Sequence, residues 1–171
     1  ELEVQARAVD LVVKARHPDT MKHLVNVLKD ESEFARRSAV EVLNEIAEPN
    51  TIKYLLTALE DGDWWVRSRA SDALAKIGGP KVMDAVLQLV GDKNENIRRS
   101  AIEILNQTKD ERAVDYLIKA TRDNDWWVRE RAADALAEIR SEKAAPALLE
   151  MLTGDARSVP AALRALGRLG S

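Results

Sequence analysis

The chain has no cysteine among its 171 residues, which removes disulfides, thiolate metal sites and thiol nucleophiles together. That absence fits a reducing compartment. Histidine occurs twice, as His17 in an HPDT turn and His23 on a short helical segment, and the two do not share a helix face at ligand spacing. Both read as surface residues, with no metal site expected. Glycine and proline are sparse, 7 and 5 residues, and there is no Gly-rich phosphate loop, nucleophile elbow or His-Glu zinc pattern. The acids are spread along the chain instead of gathered, so neither an enzyme nor a cofactor site is expected. No apolar run approaches the roughly 20 residues that a membrane span needs, and no N-terminal signal pattern is present. A soluble, cytoplasmic setting with no membrane partner is the expectation.

What is present is a ladder. Gln5, Arg36, Arg67, Arg98 and Arg129 follow one another at 31 residues, and other columns keep the same register. Asp30, Asp61, Asp92 and Asp123 form one; Val12, Leu43, Leu74, Leu105 and Leu136 form another. Ala8, Ala39, Ala70, Ala101 and Ala132 form a third, and Met21, Ile52, Met83, Val114 and Ala145 a fourth. Such a period marks an array of stacked units, not one core around one active site.

Within a unit the apolar spacing is helical. Val66, Ala70, Ala73, Leu74 and Ile77 fall on one face of a 3.6-residue period, which predicts a helix A. After the break at Gly78, Gly79 and Pro80 the pattern resumes with Met83, Val86, Leu87 and Val90, a shorter helix B. Pro18 and Pro49 occupy the same turn column, where proline starts a helix without losing a needed donor. Ser32, Asp63, Asn94 and Asp125 stand where helix A begins, and all are favoured N-caps. Neither helix can bury its stripe alone, but stacked pairs bury it continuously. The expected fold is all-α, an α-α superhelix (α-solenoid) of about five 31-residue helix pairs and a partial sixth. As one solenoid over 1–171 it divides into units at about 1–31, 32–62, 63–93, 94–124, 125–155 and 156–171. Because it starts at Glu1 and stops shortly after a sixth helix A, the chain is expected to be a segment of a longer protein.

The stretches DGDWWVRSRASDALAKIG at 61–78 and DNDWWVRERAADALAEI at 123–139 resemble the HEAT-like repeat family. The likeness is to its short-unit branch, which includes phycobilisome lyase subunits and artificial repeat libraries. The last segment, VPAALRALGRLG, departs from the pattern by lacking the V-R pair. The resemblance implies that the Asp and Arg columns, linked by a six-residue step along the chain, form a hydrogen-bonded ladder between repeats. It also implies that positions 64, 65, 68, 69 and 72, and their equivalents, form a concave binding surface.

Those positions carry all four tryptophans, as Trp64 and Trp65, then Trp126 and Trp127 in alternate units 62 residues apart. Units two and four also match each other (ARRSAVEVLN and IRRSAIEILN), as if a two-unit block had been duplicated. One reading makes the indoles packing residues between neighbours, inherited from that duplication. The other makes them anchors, since tryptophan on a surface turn risks an exposed apolar patch and is enriched where binding energy concentrates. Two units span about 20 Å, the length of about six extended residues. On the same face a base precedes an acid in every unit: Arg7 and Asp10, Arg37 and Glu41, Arg69 and Asp72, Arg99 and Glu103, Arg131 and Asp134. Spacing of three or four residues predicts pairing within each helix.

Nucleic acid is disfavoured. The face carries Arg7, Arg37, Arg69, Arg99 and Arg131 against Glu3, Asp10, Glu33, Glu41, Asp72, Glu95, Glu103, Glu130 and Asp134, and the whole chain has a charge of −3. Both are the wrong sign for phosphate. The function expected is therefore a protein-interaction scaffold that binds a partner protein or extended peptide on the concave face. Trp64, Trp65, Trp126 and Trp127 are the expected anchors. Arg69 and Arg131, positioned by Asp72 and Asp134, are the polar contacts, with Phe34, Arg37 and Arg99 extending the surface. The alternatives are an architectural spacer or regulatory segment of a larger protein, a subunit of a bilin-lyase-like enzyme, or a nucleic-acid-binding HEAT-like protein.

Overall fold

A computed structural model describes residues 19–170. Glu3, Gln5, Arg7, Ala8, Asp10, Val12, His17 and Pro18 lie outside the described residues. The chain forms two compact units, Glu1–Val82 and Met83–Ser171.

The first unit holds α1 (Thr20–Val27), α2 (Glu33–Ile46), α3 (Ile52–Ala58) and α4 (Trp64–Ile77). Helix α5 (Gly79–Leu89) carries the chain into the second, which continues with α6 (Glu95–Thr108), α7 (Val114–Ala120), α8 (Trp126–Ile139), α9 (Ala145–Met151) and α10 (Val159–Leu169). The helix A elements α2, α4, α6 and α8 are each 14 residues long and start at the same point of the repeat. In the first unit α4 packs on α2 and α3; in the second α8 packs on α6, α7 and α10. The partial sixth unit is thus a helix A laid against the preceding helix A.

The leucine column is the centre of each layer: Leu43, Leu74, Leu105 and Leu136 have no solvent exposure. Ala39, Ala70, Ala101 and Ala132 are buried beside them, small enough to let neighbouring backbones approach. The fourth column is only partly core. Met83 and Val114 are buried, whereas Met21, Ile52 and Ala145 are half-exposed at the start of helix B. The expected single helix B is also refined. Three copies enter through a 3₁₀ turn, at Pro49–Thr51, Glu111–Ala113 and Glu142–Ala144, which tightens the chain reversal before the α-helix begins.

Each of α2, α4, α6 and α8 ends on a residue with positive φ whose N–H donates to the carbonyl four residues back. These are Ala47 (φ 43), Gly78 (φ 56), Lys109 (φ 52) and Arg140 (φ 57). Gly78 has ψ −156, a region open essentially to glycine alone. The other three bear a Cβ in the left-handed region, at a cost of about 1 kcal/mol each. Ala47→Gly is therefore expected to raise stability by about 0.5–1 kcal/mol, and Gly78→Ala to lower it by at least about 1 kcal/mol. Urea denaturation of the two variants checks the opposite signs.

Candidate partner-binding surface

The start of helix A, where the tryptophans stand, is held by the arginine column. Arg36 donates through Nη1 to the carbonyls of Asp30 and Glu31 in its own loop, at 2.9 and 3.1 Å. Its Nε and Nη2 grip the carboxylate of Asp61, in the loop that leads into the next helix A, at 2.8 and 3.2 Å. Arg98 repeats this on Asp92, Lys93 and Asp123. The gripped aspartate also closes its own loop, accepting the amide two residues on at 2.8 Å, as Asp61 does from Asp63 and Asp123 from Asp125. Those residues are the N-caps: Asp63 accepts from the Trp65 amide and Asp125 from the Trp127 amide, both at 3.1 Å. Asn94 caps α6 in the same way. Ser32 stands at the cap position of α2 without a side-chain bond. At the sixth element the ladder shifts by one residue, and Arg129 takes Asp155 together with the Ser158 hydroxyl.

The arginines expected to pair within their own helices mostly pair across to the next. Arg37 and Arg99 do not take Glu41 and Glu103. They reach the N-cap carboxylates of Asp63 and Asp125, each at 2.5 Å. Glu41 and Glu103 are taken instead by Arg69 and Arg131 from the following helix A, at 2.7 and 3.0 Å. Arg69 does keep Asp72 at 3.2 Å, and Arg131 has Asp134 at 3.8 Å. The cause is geometric. Helix axes 8–10 Å apart place the neighbour's carboxylate within reach of a long guanidinium, and a planar fork favours a bidentate acceptor over a staggered one on its own helix.

These bonds set the charge of the caps. Hydrogen bonding from Arg37, aided by the Trp65 amide, holds the Asp63 carboxyl below the usual carboxylate range. For Asp125, burial opposes ionisation, but Arg99 and the Trp127 amide outweigh it and leave this carboxyl low as well.

Trp64 is 67% exposed and Trp126 41%; neither ring is sunk in the core. Trp65 and Trp127 are half-buried, each under a guanidinium one turn on. Arg69 lies 5.8 Å from the Trp65 ring centre and Arg131 5.7 Å from that of Trp127, within cation–π range. Trp126 has Arg157 at 6.0 Å, which accounts for part of its lower exposure. Phe34 is the most open aromatic, 68% exposed, because the residue one turn on is Ser38, whose hydroxyl bonds back to the Phe34 carbonyl. Each compact unit thus brings one Trp-Trp-Arg-Asp set together. The structure adds Lys109, Arg157, Arg164 and Arg168, which the repeat columns do not single out. One signal was available for two of them: Arg164 and Arg168 follow Asp134 and Glu138 by 30 residues each, and both pairs form. His23 is exposed. Among the described residues no group of His, Asp and Glu is arranged to hold a metal ion, and no helix is long and apolar enough to cross a membrane.

The sequence pattern of HEAT repeats matches residues 1–62, 21–100, 52–123 and 83–167. The chain belongs to the HEAT-repeat family. No curated protein sequence matches it. Among solved structures, this HEAT-repeat chain is similar to the complex of CpcE and CpcF of phycocyanin lyase from Nostoc sp. PCC7120. The identity is 24%, over 85% of this chain and 63% of that one, with a TM-score of 0.63. It thus spans under two thirds of the lyase chain. It is also similar to an engineered protein (23% identity, 96% of this chain, 84% of that one, TM-score 0.57). A designed armadillo repeat protein in complex with peptide (KR)4 aligns at 18% identity over 95% of this chain and 90% of that one, TM-score 0.55. At these identities the likeness establishes the fold, an α-α superhelix of repeats.

Lowered folded-state values for Asp63 and Asp125 mean that their contribution is present above the unfolded carboxylate pKa and is lost as pH falls through the folded values. Melting temperature is expected to hold from neutral pH down to about 5 and to drop below about 4. Asp63→Asn with Asp125→Asn, which keeps a capping acceptor but removes the charge, should cost about 1–2 kcal/mol per site at pH 7 and flatten the acid limb. Thermal melts across pH for both proteins check this.

Proposed function

We propose that the chain is a non-enzymatic, cytoplasmic interaction scaffold that binds a partner protein or extended peptide on the exposed face of its helix A elements. In this reading that face is the concave side that the resemblance to HEAT-type repeats implies. The observation that carries this reading is the exposure of Trp64 and Trp126 at the first helical position of rigidly capped helices. A large apolar ring held at the surface by a fixed backbone loses little conformational entropy on contact and offers much area. Arg69 and Arg131, already ordered by carboxylates and by the neighbouring indoles, add polar contacts at low ordering cost. Phe34, Arg37 and Arg99 border the same face. The designed armadillo repeat protein bound to a (KR)4 peptide is a precedent for peptide capture on a related architecture.

The competing reading is an architectural spacer in which no ligand contacts this face. Trp64→Ala with Trp126→Ala separates the two. The double variant is expected to lose at least about tenfold in partner capture from the extract of the source cells. Its melting temperature should move by less than about 3 °C, the shift that about 1 kcal/mol produces in a domain of this size. Capture that survives the double substitution favours the spacer, and unfolding of the variant makes the indoles packing residues.

A further inference from the structure

In the second compact unit, the C-terminal ends of α6, α8 and α10 surround an open trough of about 450 Å³. Lys109, Arg131, Arg164 and Arg168 line it against only two carboxylates, Asp134 and Glu138. Each carboxylate is shared by two cations. Glu138 takes Lys109 at 3.0 Å and also Arg168, and Asp134 takes Arg164 at 3.4 Å and Arg131 at 3.8 Å. Among the described residues, four cations face three carboxylates even when Glu103, the other partner of Arg131, is included.

Arg131 is also less well satisfied than its counterpart. Arg69 engages Glu41 through both Nε and Nη2 at 2.7 Å and Asp72 through Nη1 at 3.2 Å. Arg131 grips Glu103 through Nη2 alone, its Nη1 stands 3.8 Å from Asp134, and its Nε is buried without an acceptor. The lining is therefore richer in cations than in carboxylates, and Lys109, Arg164 and Arg168 present theirs to solvent. This distinguishes it from the ladder at Asp61 and Asp123, where each carboxylate is matched by a fork.

We infer that this trough receives the carboxylate side chains of an acidic segment of the partner protein, which lies along α8 from Trp127 to Glu138. The inference rests on the helix A face being the contact surface. The eleven steps along α8 from Trp127 to Glu138 rise about 16 Å, the span of about five extended residues, so the segment places an apolar residue on Trp127 and acidic residues over Arg131, Arg164 and Arg168. A nucleic acid strand suits the surface poorly, because Glu130 flanks the tryptophan end and would repel a backbone charged at every step.

The test uses the whole chain, labelled with nitrogen-15, and an acetylated peptide of two leucines, one glycine and three glutamates. A lysine-for-glutamate peptide and a short single-stranded oligonucleotide serve as competitors. The glutamate peptide is expected to bind, to shift the amides around Lys109, Arg131 and α10, and to lose at least about tenfold in affinity in Arg164→Glu with Arg168→Glu. Both residues are exposed, and an unchanged helical circular dichroism spectrum verifies the fold of the variant. Equal binding of the lysine peptide or the oligonucleotide, glutamate-peptide binding indifferent to the charge reversal, or no binding at all overturns the inference. Sensitivity to Trp127→Ala without sensitivity to the charge reversal overturns the acidic partner while leaving the helix A face as the contact surface.

Discussion

One guanidinium in each compact unit, Arg36 in the first and Arg98 in the second, organises the local structure of this protein. The column arginine donates to two carbonyls of the loop before its own helix and, through its other edge, to an aspartate of the loop before the next helix A. That aspartate in turn closes the loop on which the next N-cap sits. Neither partner does this work with a point charge, because the geometry needs a planar donor with two usable edges. Hydrophobic burial by the leucine and alanine columns supplies the drive to stack, but apolar helix faces slide easily. The forked bonds select one register, and with it the direction in which the first turn of helix A presents its side chains.

A second layer of ion pairs alternates with the repeat. In the first unit Arg37 takes Asp63 and Arg69 takes Glu41; 62 residues on, Arg99 takes Asp125 and Arg131 takes Glu103. The same four-residue lattice thus occurs once in each compact unit, which fits the two-repeat block visible in the sequence. The lattice is also where the blocks diverge. Lys76 of the first block reaches the buried Asn44, whereas the equivalent position of the second is Glu138, held by Lys109 and Arg168. Repeats of one scaffold therefore differ in surface chemistry at constant backbone, the property a binding surface built on a solenoid requires.

Much of this was legible in the residues. The 31-residue period placed the start of helix A to the residue, because Leu, Ala, Asp and Arg columns constrain the same boundary independently, and the caps Asp63, Asn94 and Asp125 are residues whose chemistry names their role. The 3₁₀ entries to helix B were not legible, since a tight turn of three residues leaves no periodicity of its own. Pairing was misread where spacing along one helix competed with spacing between helices: Arg37 and Glu41 are neighbours in sequence, but the packing distance puts Asp63 nearer. The exposure of Trp64 against the half-burial of Trp65 follows from a rotation of one residue, 100° on a helix, which the side-chain pattern alone did not resolve. The cationic trough depends on α10, whose sequence departs from the repeat, so no column pointed to it.

The most direct test of the central claim is hydrogen exchange at the loop amides of Asp63 and Asp125 in Arg36→Lys with Arg98→Lys, a change that keeps the charge and removes the fork. The account predicts that these two amides, and those of Trp65 and Trp127 that follow them, lose at least about tenfold in protection while the interiors of α4 and α8 exchange as before. Unaltered protection at the four amides would contradict it, leaving apolar stacking sufficient to set the register without the arginine ladder.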